Sequence, residues 1–368
     1  MELTYSNKKS INEILEFSSD FYEKSRLIPQ DENLFIFGDN FSALSALLGA
    51  GLKGKIDLIY IDPPYKTNQI FTVSDGVRVS TISRTKSQNS VVAYDDNFTM
   101  TEYLEFMRER LILMRELLSD KGSIYVHIDN KMGHYLKLIL DEVFGINNFI
   151  NDISRIKSNP KNFSRRAYGN EKDIVLFYAK DHKKNIFNNV TTHLSEEDKR
   201  EMFKKIDEKG RRYNTVPVHA PGETLNGDTG REWQGMLPPA GRHWRVSPKE
   251  LDKLDEQGLI EWSKNGVPRI KKFADEHKGK KIQDVWTFKD PIYPIYPTEK
   301  NSDMLEMIIS QSSNKDSIVM DCFAGSGSTL KAADKLGRKW IGVDISPVSL
   351  EVVQKNLDTA DFRLINII

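Results

Sequence analysis

The sequence predicts an α/β fold with a mostly parallel sheet, into which a second domain is inserted. Three observations carry this. Apolar runs of strand length alternate with helix-period segments from residue 34 to about 180. The alternation stops over 181–290 and resumes near 317. On either side of that gap, at residue 62 and at residue 321, an apolar run is cut off abruptly by a loop rich in Asp, Pro or Gly.

Taken in order, residues 1–32 predict helix, with Ile11, Ile14, Leu15 and Phe17 on a helical spacing. Leu34-Phe35-Ile36-Phe37 predicts a strand ending at Gly38-Asp39-Asn40, and Phe41–Leu48 the helix after it. Ile56–Ile61 predicts a buried strand, halted by Asp62-Pro63-Pro64-Tyr65, since two prolines cannot continue a central strand. Residues 66–93 are polar and without period, which predicts a long loop; Arg78, Arg84 and Lys86 would bring charge to it. Leu104, Met107, Leu111, Met114 and Leu118 form one face of a helix over 101–118. Strands at 122–128, 149–156 and 173–179, a helix at 131–144 and a basic loop at 157–172 complete the first part. The gap holds Trp233, Trp244, Trp262 and Trp286 among many Lys and Arg residues. Strands return at 317–320 and 340–343. The domains expected are therefore 1–180 and 291–368, forming one sheet, and 181–290, inserted between them.

Composition narrows the function classes. Hydrophobic residues are 39% and charged residues 29% of 368, which suits a packed core. Lys plus Arg and Asp plus Glu are both 53, so no uniformly basic coat exists. The charge is nonetheless uneven: residues 1–62 carry net −4, 155–212 net +7 and 263–289 net +5. These two basic stretches bracket the Trp-rich segment, as a nucleic-acid face requires. Cys322 is the one cysteine, which excludes an internal disulfide and a multi-cysteine zinc site. His219 and His243 lack cysteine partners, so no metal is expected. His127 lies on a strand and is expected in the core. Met1–Ser10 has no apolar core of a leader, and no apolar run is long enough to span a bilayer, so the expected compartment is the cytoplasm, with no membrane partner.

Two motifs carry chemistry. Asp62-Pro63-Pro64-Tyr65 follows a strand, where α/β sites lie. Methylating an exocyclic amine needs an acceptor for its hydrogens, because the nitrogen lone pair is conjugated with the ring. A carboxylate (Asp62) and a carbonyl on a proline-fixed backbone (Pro63) supply acceptors. Tyr65 supplies a flat face for an extruded base. The second motif, Asp321-Cys322-Phe323-Ala324-Gly325-Ser326-Gly327-Ser328-Thr329, also follows a strand. Its glycines allow close approach to a ligand and a tight turn into a helix. It lacks the third glycine of the dinucleotide fingerprint, so pyrophosphate is disfavoured. Asp344 ends the next strand, placed to take two ribose hydroxyls. Each motif alone is also compatible with an ordinary turn.

Together the motifs resemble those of the amino-group DNA methyltransferases, above all the β group of adenine-N6 enzymes, which includes the type III modification subunits. In that family D-P-P-Y comes first, F-x-G-x-G last and the target recognition domain between, as here. The resemblance implies a circularly permuted Rossmann-like, S-adenosylmethionine-dependent methyltransferase sheet, with 181–290 as target recognition domain. It places Asp62, Pro63, Pro64 and Tyr65 at the base. Asp39 falls on the cofactor adenine, Phe323 against the cofactor, and Asp344 on the ribose. Asp321, Gly325, Gly327 and Ser328 line the methionine side. Tyr296-Pro297-Thr298-Glu299-Lys300 is similar to the family's P-T-x-K motif, which puts Thr298 and Lys300 at the methionine end. Lys161, Arg165, Arg166, Arg231, Arg242 and Trp244 are the candidates for contact with DNA. Type III subunits are usually much longer, so a type II or stand-alone enzyme fits the length better.

The expected reaction is methyl transfer from S-adenosylmethionine to adenine N6 of a base flipped from duplex DNA. Cytosine N4, RNA adenine and a catalytically silent DNA-binding subunit stay open as alternatives. A homodimer and a restriction endonuclease are the further partners the resemblance admits.

Overall fold

A computed structural model of the chain describes residues 2–29, 31–65, 70–74, 90–95, 98–159, 166–291, 299–358 and 360–367. It divides into two compact units, Met1–Val190 with Gln283–Ile368, and Thr191–Ile282.

Helix α1 spans Ile11–Ser19 and starts at a capping box shared by Ser10 and Glu13. The helix expected over 1–32 is thus much shorter, with only a 3-10 segment at Tyr22–Leu27 beyond it. Ser18 and Ser19 turn their hydroxyls back onto the carbonyls of Leu15 and Glu16, which competes with helix continuation. Then come β1 (Leu34–Gly38), α2 (Asn40–Leu47) and β2 (Ile56–Ile61). Within the expected loop 66–93, two backbone segments instead pair antiparallel as a hairpin, β3 (Ile70–Ser74) and β4 (Ser90–Asp95). Each holds β-branched residues, whose strand preference the polar surroundings conceal. Arg78, Arg84 and Lys86 lie outside the described residues. Helix α3 (Met100–Leu117), capped by Thr99 and Glu102, leads to β5 (Leu118–Ile128), α4 (Gly133–Phe144), β6 (Phe149–Ile156) and β7 (Lys172–Ala179).

The second unit follows. It comprises β8 (Thr191–Thr192), α5 (Glu196–Met202), β9 (Lys205–Ile206), β10 (Arg212–Pro217), β11 (His219–Pro221), β12 (Arg242–Trp244), α6 (Pro248–Glu256), β13 (Ile260–Trp262), β14 (Pro268–Phe273) and β15 (Lys280–Lys281). Four of these form an antiparallel sheet ordered β13-β14-β10-β9. Its core joins Val218, Trp233, Trp244, Leu251, Ile260 and Ile270. The Trp233 indole satisfies its N–H on Asp252 at 2.8 Å and stacks on Trp262 at 5.5 Å.

The chain then re-enters the first unit with β16 (Val285–Trp286), α7 (Ser302–Ser312), β17 (Ile318–Asp321), α8 (Ser328–Lys335), β18 (Lys339–Asp344), α9 (Pro347–Asn356) and β19 (Arg363–Ile367). The nine-stranded sheet runs β16-β6-β7-β5-β2-β17-β18-β1-β19. Only β7 runs against its neighbours. Central β2 is buried along its whole length, as a strand covered on both faces must be. Ile59 and Ile61 face α2, α3 and α4 in one continuous core. The opposite face meets α7, where the Tyr125 hydroxyl bonds Ser312 at 2.8 Å, and α8, whose Leu330 packs against Gly342. No helix of the described residues is long and apolar enough to cross a membrane.

Truncating Trp233 to Ala removes one of the two tryptophans of the second unit's core. We expect a loss of about 3–5 kcal/mol in that unit, read as a lower urea midpoint by circular dichroism.

Candidate active site

Four neighbouring parallel strands, β2, β17, β18 and β1, each end in an aspartate at the same rim. Asp62 follows β2, Asp321 closes β17, Asp344 closes β18 and Asp39 follows β1. Each of the four is held by a different device.

Asp62 is gripped on both oxygens. The Tyr65 hydroxyl donates to Oδ1 at 2.5 Å, and the Lys300 ammonium meets Oδ2 at 2.5 Å. Side chains alternate along β2, so Asp62 leaves the strand on the face of Tyr60, which is the face α7 covers. Lys300 sits just before α7, whose N-cap is Asn301. Pro63 is buried, and the Pro64 carbonyl accepts the Tyr103 hydroxyl of α3 at 2.8 Å. Burial and the Asp62 carboxylate push the Tyr65 phenol well above its ordinary range.

Beneath Asp62 lies a buried polar row. Tyr60 bonds His127 Nδ1 at 2.8 Å, and His127 Nε2 faces Asp173 at 3.4 Å. Asp173 takes Lys157 at 2.6 Å, while Arg155 holds Asp290 at 2.6 Å. Burial chiefly, with the Lys300 charge adding to it, holds His127 below its usual value against the opposing hydrogen bond to Asp173. His127 is fully buried on β5.

The glycine motif turns from β17 into α8. Gly325 and Gly327 take φ of +51° and +75°, a region that L side chains adopt at a cost. A Cβ on Gly327 would also come within 2.9 Å of Val353. The turn is pinned from several sides. Gly325 N–H donates to Asp344 at 2.8 Å, Ser349 donates to the Gly325 carbonyl at 2.5 Å, and Ser326 and Ser328 share a bond of 2.7 Å. Ser346 N–H gives Asp344 a second bond at 2.8 Å. Burial raises the Asp344 carboxyl, against these backbone donors. Asp321 is buried too and accepts from Phe323 N–H at 3.0 Å. Burial pushes it up to about 7, against hydrogen bonds from Thr329 and Phe323, with Asp62 and Asp344 adding repulsion.

Asp39 caps α2 through Ser42 N–H at 3.0 Å and pairs with Arg110 at 3.0 Å. The Arg110 guanidinium is buried, stacks over Phe106 at 3.6 Å and also bonds Asn40. Phe106 in turn meets Phe323 edge-on at 6.2 Å. Asn40 donates to the Cys322 carbonyl at 3.1 Å. Arg110, Phe106 and Asn40 escape the sequence reading. The available signal is an arginine three residues after Met107 and four before Met114, inside the buried arc of α3.

Among the remaining expected residues, Thr298, Lys161 and Arg165 lie outside the described residues. Arg166 is exposed in the first unit. In the second, Arg231 is exposed beside Asp228 at 3.2 Å, and Arg242 is exposed with one nitrogen 3.2 Å from His219. Trp244 requires a correction. It is 2% exposed and bonds the Arg231 carbonyl, so it belongs to the core and offers no surface to DNA. Composition marks a tryptophan among arginines, but only packing decides which way it faces.

The family described as DNA methylase, whose profile spans N6 and N4 enzymes, matches residues 56–355. The Type II methyltransferase M.EcaI of Enterobacter cloacae is 44% identical over 354 residues, covering 95% of this chain and 74% of that protein. The Type III StyLTI Mod subunit of Salmonella typhimurium is 28% identical, covering 83% of this chain and 50% of its own length. The crystal structure of the M1.HpyAVI–SAM complex aligns with a TM-score of 0.46 and 18% identity, covering 88% of this chain and 100% of that one.

Burial raises the folded-state proton affinity of both Asp344 and Asp321, that of Asp321 to about 7 against 3.8 for a free side chain. The folded protein therefore binds the Asp321 proton more tightly than the unfolded chain. Its contribution to stability grows as pH falls from about 7 toward 4 and is lost above 7. Asp321→Asn should remove this dependence. The difference between wild-type and variant urea midpoints, taken at pH 5 and pH 8, checks it; equal differences at both pH values count against the raised value. Gly327→Ala should independently cost roughly 1–2 kcal/mol for its left-handed backbone alone.

Proposed function

The chain belongs to the DNA methylase family, and from that premise we propose that it methylates the N6 amino group of an adenine flipped out of duplex DNA. The observation that carries this is the meeting of two motifs at one rim. The Asp62-Pro63-Pro64-Tyr65 end of β2 lies beside the Asp321–Thr329 turn that ends β17.

The family uses S-adenosylmethionine, and the residues present fit it. Phe323 meets Phe106 edge-on, and Phe106 stacks with the Arg110 that pairs with Asp39, an aromatic and polar lining that suits the adenine. Asp344 is fixed by two backbone donors, which suits a pair of ribose hydroxyls. Two residues on, the buried Ser346 hydroxyl has no hydrogen-bond partner among the described residues. Asp321, Gly325, Gly327 and Ser328 border the methionine side. When bound, the cofactor supplies an electrophilic methyl carbon on a sulfonium centre.

The chain's own residues do the rest. An incoming base replaces the Tyr65 hydroxyl at Asp62 Oδ1, so that Oδ1 and the Pro63 carbonyl accept the two amino hydrogens. That draws the nitrogen toward sp³ geometry and exposes its lone pair. The Tyr65 ring, released from Asp62, supports the base face. Asp62 remains the acceptor when the amino nitrogen sheds its proton. Flipping costs a few kcal/mol, which phosphate contacts and stacking offset. Asp at the first motif position favours adenine over cytosine.

In this reading the unit Thr191–Ile282 recognises the target sequence, with Arg231 and Arg242 toward DNA and Arg166 contributing from the first unit. Lys161, Arg165 and Thr298 belong to the same reading by resemblance. Duplex DNA is the substrate. A restriction endonuclease that cuts the unmethylated site is the partner expected, in keeping with the type II and type III systems named for the relatives. A homodimer follows from resemblance alone.

Incubation of the protein with unmethylated duplex DNA and S-adenosylmethionine, followed by nucleoside mass spectrometry, should yield N6-methyladenine. Asp62→Ala should lower the yield at least about 100-fold while cofactor binding by equilibrium dialysis persists. N4-methylcytosine would keep the mechanism and change the base. Bound cofactor with no DNA product would overturn DNA as the substrate and favour RNA or a silent subunit.

A further inference from the structure

Resting on the reading above, we infer that Lys300 is the positioning residue for Asp62, rather than a ligand of the cofactor's methionine end. Three observations carry this. The Lys300 ammonium lies 2.5 Å from Asp62 Oδ2. It also stands 5.6 Å from the centre of the Tyr65 ring, so it touches both functional side chains of the tetrapeptide. And Lys300 is only 9% exposed, so the pair sits out of bulk water, where an ion pair holds its geometry more firmly than at the surface.

The need for such a residue follows from where Asp62 stands. It is the first residue beyond β2, so no ladder partner fixes its side chain. Its function requires one carboxylate oxygen aimed at the amino hydrogens. Tyr65 covers Oδ1 with a neutral hydroxyl, which an incoming amine can displace. Lys300 holds Oδ2 with a full charge, which a neutral amine cannot displace. The two oxygens thus have separate duties, Oδ2 as anchor and Oδ1 as acceptor. Charge agrees with this division. The sulfonium is positive, and positive charge develops on the attacking nitrogen, so an unneutralised ammonium nearby would oppose the reaction. Paired with Asp62, Lys300 adds no net charge there. Its task is therefore orientation.

The test is Lys300→Met in the full chain, with Lys300→Arg as the conservative variant. Two quantities are read: the affinity for S-adenosylmethionine by calorimetry, and the single-turnover rate of methyl incorporation into unmethylated plasmid DNA at saturating cofactor. Lys300→Met should lower the rate about 100-fold, as expected for a misplaced acceptor, with cofactor affinity changed less than about threefold. Lys300→Arg, which keeps a charged donor on Oδ2, should restore most of the rate. Affinity weakened tenfold or more with an unchanged saturated rate would make Lys300 a cofactor ligand and overturn the inference. Unchanged rate and affinity would overturn it too. Cofactor binding by the variant itself reports folding; should Lys300→Met not fold, Lys300→Gln takes its place with the same readouts. A wild-type protein that transfers no methyl group to DNA would instead sink the functional reading, and this inference with it.

Discussion

Four carboxylates brought to one edge of a sheet is the constraint around which the first unit is organised. Asp62, Asp321, Asp344 and Asp39 follow one another across β2, β17, β18 and β1 because those strands are parallel and in register. Left alone, acids so placed would repel one another, and the more buried of them would lack solvation. The structure resolves each differently. A lysine neutralises Asp62, a buried arginine neutralises Asp39, and two backbone N–H groups solvate Asp344. Asp321, the most buried of the set, has its proton affinity raised by burial, as Asp344 does. Those compensating groups come from α3, the stretch before α7, and the turns into α8 and α9, so satisfying the rim ties both helical layers to the sheet.

On the function proposed above, one edge serves two ligands. The β2 end presents acceptors and a ring suited to a base, whereas β17, β18 and β1 present a glycine turn, carboxylates and aromatic edges suited to a nucleoside cofactor. Asp62 stands at the boundary between them. Its two oxygens are occupied by groups of different charge, a neutral hydroxyl on Oδ1 and an ammonium on Oδ2, and the division of duties inferred above rests on that asymmetry. The buried row Tyr60–His127–Asp173 runs beneath Asp62, with the Tyr60 hydroxyl on His127 Nδ1 and Lys157 on Asp173.

Local signals were enough for the strands that carry the motifs. Ile56–Ile61 and Ile318–Asp321 are short apolar runs, each ended by residues that cannot extend a central strand. The edges were less legible. Arg363–Ile367 and Val285–Trp286 join the sheet at its two margins, where half the neighbours are missing and the apolar pattern is correspondingly thin. Residues 1–32 misled through their helical spacing, because serine hydroxyls competing for backbone carbonyls are invisible to a period. The polar stretch 66–93 misled in the opposite sense, since pairing of Ile70–Ser74 with Ser90–Asp95 depends on a partner twenty residues away.

What the sequence by itself determined was chemistry and order: which residues can accept amino hydrogens, which turn can approach a nucleoside, and which motif precedes which. These are properties of residue types and short spacings, legible without a third dimension. Tertiary structure alone decided adjacency and facing. It set Lys300 on Asp62 and Arg110 on Asp39, and it turned Trp244 inward. The physical reason is that such pairings join residues far apart in the chain. Burial and charge settle them only once the elements that carry them have packed together.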